Sequence, residues 1–259
     1  MNAPIVSAPP AIASELSRCV TVSVVSHGHG ALVQRLLGQI AATGQGVVDR
    51  VILTHNLPAA PVQPPAGGWP FALSEVFNPR VAGFGANHNR AFALCTTSHF
   101  CVLNPDIELT DPTIWAGLLA VALQTGAGCV YPCLLNADHT PQDNERAAVT
   151  PLALLRRHLL GQTEARTDWV SAAFWLVASP AYRAVGGFDE RYFMYCEDTD
   201  FCLRLRLAGH ALARCDATAV HPASRSSRRN LKHLAWHLRS LLRLWCGPVL
   251  WRYLREVGR

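Results

Sequence analysis

The residues best suited to chemistry are acidic side chains that follow a Gly-Gly turn at Gly186. Five carboxylates fall within residues 189–200. They are interspersed with four aromatic side chains, Phe188, Tyr192, Phe193 and Tyr195. Aromatic neighbours exclude water from a carboxylate, and a desolvated carboxylate is a better base than one on a solvated surface. We therefore interpret the adjacent Glu197 and Asp198 as a catalytic or metal-linked pair.

Helix capping is the alternative explanation for acids at this position. The apolar spacing after Phe201 predicts a helix that closes at Gly209, which suits a left-handed cap. Glu197, Asp198 and Asp200 would then lie in its first turn, where the helix dipole favours negative charge. We expect Asp200 to be a cap, and we expect the dipole to lower the pKa of Asp198. Capping alone does not account for an aromatic-lined Glu-Asp pair.

Polar residues also stand at the ends of several apolar runs. Residues 20–25, 47–53, 71–77, 99–103, 127–131, 168–179 and 211–220 are predicted strands. Four of them end in polar side chains: Ser26 and His27, His55 and Asn56, Asn104 and Asp106, and His221. Functional groups of α/β proteins gather at the carboxyl ends of parallel strands. We expect these side chains to share one edge of a sheet.

Helical segments alternate with these strands, so the fold class is α/β, with a mostly parallel central sheet flanked by helices. Helices are predicted after residue 30, before Cys95, at 111–125 and near 151–160. We divide the chain into a loose leader at 1–17, one large domain at 18–224 and basic amphipathic helices at 225–259. The nine scattered cysteines predict buried thiols rather than a zinc site.

The basic charge is concentrated at the C-terminus. Residues 225–259 contain nine Lys or Arg and one acid, a net +8, whereas the remainder carries −3. Seven apolar residues fall on one helical face: Leu231, Leu234, Ala235, Leu238, Leu241, Leu242 and Trp245. That face packs on the core, docks on an anionic membrane surface, or does both. An acidic body without a recognition motif argues against nucleic-acid binding.

The acidic stretch, GGFDERYFMYCEDTDFCLR from residue 186, resembles the acceptor-side signature of inverting family 2 glycosyltransferases, in their bacterial rhamnosyltransferase-like branch. Leu-Asn-Pro-Asp at 103–106 resembles the element that replaces the Asp-x-Asp metal motif in that branch. Residues 83–89 match its Gly-Phe-(Ala/Gly)-x-x-x-Asn element. The resemblance implies the GT-A fold, which is the nucleotide-diphospho-sugar transferase fold.

The resemblance also implies roles for individual residues. Asp198 is the expected base, and Glu197 is expected to orient it or to contact the acceptor. Asp106 and His221 are expected to hold Mg²⁺ or Mn²⁺. The alternatives are that Asn-Pro-Asp is a common turn and that a lone His is often structural. The expected donor-binding residues are Ser26, His27, His55, Asn56, Gly85, Asn89, Asn104 and Asp106. The expected acceptor-binding residues are Trp169, Asp189 and Glu197.

Four elements depart from the family pattern. The first strand ends in Ser26-His27-Gly28 where Thr-Tyr-Asn or similar is usual, and His55 stands where an Asp is usual. Asn104 replaces a second metal carboxylate, and Ala172 replaces a Gly. The donor is expected to be dTDP-rhamnose or a UDP-sugar, and the acceptor a cell-surface or lipid-linked glycan at the cytoplasmic face of the membrane. A degenerate binding protein that keeps the fold without turnover is the alternative.

Overall fold

The computed structural model describes residues 17–160, 166–222 and 231–257. The predicted leader at 1–17 lies outside the described residues except for Ser17. The predicted boundary between residues 224 and 225 lies outside them as well.

A seven-stranded sheet forms the centre of the protein. The strands of the described residues are β1 Val20–Ser26, β2 Val48–His55, β3 Ala72–Phe77, β4 His99–Leu103, β5 Cys129–Leu135, β6 Glu145–Arg146, β7 Trp169–Val170, β8 Phe174–Ala178 and β9 Leu212–Val220. The sheet order is β3-β2-β1-β4-β8-β5-β9, and β6 pairs with β7 separately. All pairings in the large sheet are parallel except those of β8 with β4 and β5. The predicted α/β class with a mostly parallel sheet is confirmed.

Helices cover both faces of this sheet. They are α1 Gly30–Thr43, α2 Phe84–Phe92, α3 Ile114–Thr125, α4 Pro151–Leu160, α5 Ser179–Ala184, α6 Glu197–Leu207, α7 Leu231–Cys246 and α8 Pro248–Glu256. The β-branched residues of β1 are buried on both faces, as a central parallel strand requires. Gly209 has φ +84°, so the predicted left-handed residue after α6 is confirmed.

The single strand predicted at residues 168–179 is wrong. Residues 169–170 belong to the small sheet as β7, and residues 174–178 belong to the large sheet as β8. Between them, Ser171 N donates to Asn144 O and Ala173 O accepts from Asn104 N. The backbone hydrogen bonds of this segment therefore connect it to loops, and apolar composition alone did not reveal the break.

The predicted apolar face of α7 packs on the core only in part: Leu241 is buried and Trp245 packs on the core, whereas four of its leucines are exposed. Leu231, Leu234, Leu238 and Leu242 are between 44% and 85% exposed. The helix also buries Ser240 and Leu244. The inward face is displaced from the predicted one because His233, Trp236 and Ser240 contact the segment before α6.

Candidate active site at the carboxyl edge of the sheet

The carboxyl ends of β1 and β2 bring four predicted donor-binding residues together. Ser26 is paired with His55 in the parallel register, and Asn56 N donates to the Ser26 carbonyl at 2.8 Å. The Asn56 side-chain amide lies 3.3 Å from His27 Nδ1. Ser26, His55 and Asn56 are buried, whereas His27 is exposed. His27 is therefore the one of these four whose side chain a ligand can readily reach.

His55 is held by two neighbours that the sequence reasoning missed. Its Nε2 lies 2.7 Å from Glu75 Oε2, and its ring stacks on Phe77 with centroids 4.5 Å apart. If the Nε2–H donates to Glu75, Nδ1 is an acceptor, and Nδ1 is buried without a hydrogen-bond partner. Glu75 thus supplies a carboxylate next to the position where the family pattern has one.

The predicted metal residues Asp106 and His221 are brought together by a backbone bridge. Glu108 and Val220 exchange hydrogen bonds of 2.8 and 3.0 Å, which aligns the turn after β4 with the end of β9. His221 Nε2 consequently lies 3.5 Å from Asp106 Oδ1. His221 Nδ1 lies 2.8 Å from Gln142 Oε1. An Nδ1–H donated to that amide leaves the Nε2 lone pair beside Asp106, which is the usual anchoring of a metal-binding imidazole.

The charge state of Asp106 suits a cation. Burial raises the pKa of Asp106, but when His221 carries a proton on Nε2, its hydrogen bond and charge outweigh burial and lower the pKa of Asp106; a bound cation would take the place of that proton. Within residues 17–160, 166–222 and 231–257, no group of three or more His, Cys, Asp or Glu side chains is assembled for a metal. Asp106 and His221 therefore fit a divalent cation as two protein ligands, and donor phosphate oxygens are suitable for the rest.

A short extended segment links this metal side to the acidic pair. Asn104 N donates to the Ala173 carbonyl at 2.8 Å, and the main-chain N–H of Ala172 lies near the Asp198 carboxylate, where it opposes the rise in the Asp198 pKa that burial causes. Leu103 is paired with Phe174, so residues 171–173 lie at the carboxyl end of β4. Main-chain groups therefore place the predicted metal residue and the predicted base on the same edge.

Glu197 and Asp198 are desolvated as predicted. Glu197 is 5% exposed and its Oε2 has no hydrogen-bond partner. Burial, followed by the charge of Asp198, raises the pKa of Glu197 well above its ordinary value. Asp198 is partly exposed, and burial raises its pKa although Thr199 N donates to Oδ1 at 2.7 Å. The expectation that the dipole lowers the Asp198 pKa is wrong, because desolvation outweighs the backbone N–H groups.

Asp200 forms an ion pair and does not cap the helix. Arg204 Nε donates to Asp200 Oδ2 at 2.7 Å, and Arg204 also donates to the Gly187 carbonyl at 2.7 Å. The capping prediction for Asp200 is wrong, since α6 starts after a left-handed Cys196 without any side-chain cap bond. Through Arg204, the ion pair instead connects the start of α6 to the Gly-Gly turn at the beginning of the acidic stretch.

The structure places the other predicted acceptor residues near α6 in fixed positions. Arg191 binds Asp189 in a bidentate pair, with Nη2 2.6 Å from Oδ2. Asp189 also lines a cleft at the turn between α7 and α8, together with Arg239 and Arg243. Trp169 donates to the Ala147 carbonyl at 2.9 Å and stays partly exposed.

Gly85 and Asn89 contact the acidic stretch. A Cβ on Gly85 would lie 2.5 Å from Phe188 Cβ, so glycine permits this close approach. Asn89 Oδ1 accepts from Tyr182 Oη and Phe188 N, and Asn89 Nδ2 donates to Glu190. These contacts fasten α2 to the segment that carries Glu197 and Asp198.

The turn before α6 is strained and held from outside. Tyr195 and Cys196 have φ of +72° and +62°, which is unfavourable for residues with side chains. Tyr195 Oη lies 2.8 Å from His233 Nδ1, and Ser240 Oγ donates to the Met194 carbonyl at 2.8 Å. The inward face of α7 therefore holds the turn that presents the acidic pair.

Comparisons with known proteins find relatives by sequence. No protein-family profile matches the chain. It is 28% identical over 246 residues to rhamnosyltransferase WbbL of Escherichia coli, covering 86% of the chain and 91% of that relative. It is 30% identical over 178 residues to N-acetylglucosaminyl-diphospho-decaprenol L-rhamnosyltransferase of Mycobacterium tuberculosis, and the match spans 58% of each protein.

Solved structures show the same fold at low sequence identity. Glucosyl-3-phosphoglycerate synthase from Mycobacterium tuberculosis superposes with a TM-score of 0.61 at 14% identity, over 93% of the chain and 87% of that structure. A Pyrobaculum calidifontis mannosyltransferase, solved with GDP-Man and Mn²⁺, gives a TM-score of 0.56 at 14% identity, over 93% of the chain and 75% of that structure. The fold of these neighbours and the sequence similarity to rhamnosyltransferases therefore identify the protein as a glycosyltransferase of the GT-A class. Within that class, the chain is similar in sequence to the two rhamnosyltransferases named above.

Proposed function

We propose that the protein is an inverting transferase that moves a sugar from a nucleotide-diphospho-sugar to a hydroxyl of a lipid-linked or cell-surface glycan. The observation that carries this proposal is a desolvated carboxylate, Asp198, on the same sheet edge as the Asp106–His221 pair. Two named relatives are rhamnosyltransferases, which supports dTDP-rhamnose as the first donor to test, with UDP-sugars next. The name of the mycobacterial relative, with its diphospho-decaprenol acceptor, supports a lipid-linked acceptor.

Asp106 and His221 would hold the divalent cation, with Asn104 beside them. That cation supplies positive charge that stabilises the departing diphosphate. Two solved neighbours contain Mn²⁺, which supports testing Mn²⁺ before Mg²⁺. We assign contact with the nucleoside to His27, and we assign Ser26, His55 and Asn56 to positioning the strand ends beside it. Gly85 and Asn89, predicted to bind the donor, are proposed to act on the donor site only indirectly, by fastening α2 onto the acidic stretch.

Asp198 would take the proton of the acceptor hydroxyl. The acceptor oxygen forms a bond to the anomeric carbon as the bond from that carbon to the phosphate oxygen breaks, and the electron pair leaves with the nucleoside diphosphate. The raised pKa of Asp198 keeps the carboxylate basic enough for this late proton transfer. Glu197, whose pKa is raised further, would stay protonated and orient the acceptor or Asp198. Trp169 and Asp189 would border the acceptor.

We also propose that the protein works at the inner face of the cytoplasmic membrane. The basic C-terminal segment and a lipid-linked acceptor support this location. In the described part of the chain, no helix is long and apolar enough to cross a membrane, so we propose peripheral association.

The test is donor binding and slow donor hydrolysis across UDP-, dTDP- and GDP-sugars, with and without Mn²⁺. Asp106→Asn should abolish metal-dependent binding, whereas Asp198→Asn should bind donor and lose turnover. Asp216→Asn, on an exposed part of β9, is the matched control and should behave as wild type. If no nucleotide-sugar binds, the transferase mechanism is wrong, and the alternative of a degenerate GT-A-fold binding protein replaces it.

A further inference from the structure

Large apolar side chains that face solvent are concentrated on three helices. Among the described residues, twelve such side chains are exposed, and eight of them belong to α4, α7 and α8. They are Leu152, Leu155 and Leu159 on α4, Leu231, Leu234, Leu238 and Leu242 on α7, and Trp251 on α8. Exposed apolar residues scattered singly need no explanation, but a cluster of this kind indicates an interaction surface.

The leucines of α7 form a continuous stripe. Leu231 is followed at i+3, i+7 and i+11 by the other three, which places all four on one face of the helix. Lys232 and Arg239, spaced at i and i+7, are exposed beside this stripe, whereas Arg243 packs over the Tyr192 ring. The solvent-exposed side of α7 therefore carries both an apolar stripe and basic residues, in addition to the face that packs on the protein.

The leucines of α4 repeat this arrangement beside α7. Leu152, Leu155 and Leu159 lie at i, i+3 and i+7 and are 54%, 54% and 72% exposed. The start of α4 and the end of α7 share one small core, since Leu154 and Trp245 both pack on the cluster that contains Leu244. Trp245 Nε1 also donates to the carbonyl of Val149, just before α4, at 2.8 Å. The two stripes thus belong to neighbouring helices.

The charge around these stripes indicates what covers them. Residues 225–259 carry a net +8, and their one acid, Glu256, pairs with Arg252 at 3.0 Å. A second copy of the chain would bring two strongly basic segments together, which is unfavourable. Leucine stripes bordered by cations and an exposed Trp match a bilayer surface that presents acyl chains and anionic headgroups. We infer that α4 and α7 together form the docking surface for an anionic lipid bilayer.

This surface lies directly behind the acidic site. The inward face of α7 bonds to Met194 and Tyr195, and Trp236 packs on Phe193 with ring centroids 4.9 Å apart. A docked bilayer would therefore contact the helix that holds the turn before Glu197. A lipid-linked acceptor would reach Asp198 from that side; this expectation rests on the proposed function.

The test is cosedimentation of the full-length protein with phosphatidylcholine vesicles that contain or lack phosphatidylglycerol. One variant carries Leu234→Gln, Leu238→Gln and Leu242→Gln in α7, and another carries Leu152→Gln, Leu155→Gln and Leu159→Gln in α4. Glutamine keeps the helix propensity close to that of leucine. The matched control, Leu94→Gln with Leu123→Gln, changes leucines that are 48% and 51% exposed elsewhere.

We expect each stripe variant to bind phosphatidylglycerol vesicles about tenfold or more weakly than wild type, with the control unchanged. Circular dichroism shows whether each variant is folded. Vesicle binding needs neither donor nor acceptor, so its failure is distinct from failure of the proposed transfer. The inference is overturned if wild type does not bind, if the α4 variant binds like wild type, or if light scattering shows a dimer that the variants lose.

Discussion

At the residue scale, Asp198 combines access to solvent with a raised pKa, whereas Glu197 beside it is buried and lacks a partner for Oε2. Two adjacent carboxylates in such different surroundings can do different work: one exchanges a proton with substrate and the other stays protonated. The difference arises from the left-handed turn at Tyr195 and Cys196, which sets the direction in which α6 begins.

The pH dependence of transfer should report Asp198. Because Asp198 accepts a proton only when ionised, kcat/KM should rise with pH through its pKa. Burial raises that pKa, so this acidic limb should lie above the range of an ordinary aspartate, about 3.9. Asp198→Asn should lower kcat/KM by about 10²- to 10⁴-fold and remove the limb. A limb that persists in the variant would assign the titration to another group.

Gln142 should control metal affinity without touching the metal. It accepts from His221 Nδ1 and donates to the His221 carbonyl at 3.2 Å, so it fixes the imidazole beside Asp106. Gln142→Leu should weaken Mn²⁺ binding, measured by electron paramagnetic resonance with a nucleoside diphosphate present, by about 10- to 100-fold. Gln124→Leu, on the exposed side of α3, is the control. Equal affinity in Gln142→Leu and wild type would exclude the anchoring role.

At the element scale, the contact of α2 with the acidic stretch depends on glycine. Gly85→Ala should lower the free energy of unfolding by about 1–3 kcal/mol, because the new Cβ would meet Phe188 Cβ at 2.5 Å. Gly38→Ala in α1 meets nothing within 4 Å and should raise the free energy of unfolding by about 0.5–1 kcal/mol. Urea denaturation measures both. A Gly85→Ala protein as stable as wild type would show that α2 and the acidic stretch can move apart without loss of stability.

The sequence predicted most strands and helices because the apolar runs have clear periods and end at polar or glycine residues. It predicted the association of Asp106 with His221 only through the shared carboxyl edge of a parallel sheet and through family resemblance, since the residues are far apart in the chain. Gln142 lies in an aperiodic loop, and Glu75 is one acid on an edge strand. Neither had a pattern to reveal it. The predicted α7 face was only partly right: Leu241 and Trp245 pack on the core, but leucine spacing does not show which part of a broad apolar face meets the protein.

At the scale of the whole molecule, the acidic pair should reduce stability. The unfolded chain ionises Glu197 at its ordinary pKa, about 4.3, whereas the folded protein holds its pKa well above that. Stability is therefore lost as pH rises from the unfolded toward the folded pKa, and it is fully present below the unfolded value. Glu197→Gln removes this loss.

We expect Glu197→Gln to have a higher melting temperature than wild type near pH 8, with the difference shrinking as the pH approaches 4. Differential scanning calorimetry at a series of pH values measures this. An equal or lower melting temperature of Glu197→Gln at pH 8 would show that the folded protein does not raise the pKa of Glu197.

The link between the two halves of the site runs through the peptide groups of residues 172 and 173. Peptide groups are the same whatever side chain is attached, so substitutions here can accumulate without breaking the connection, provided that the new side chains fit. The spacing between the cation ligands and the proton acceptor can in this way outlast most of the surrounding sequence during divergence. Searches that score residue identity will miss this link, whereas comparison of main-chain hydrogen bonds can detect it.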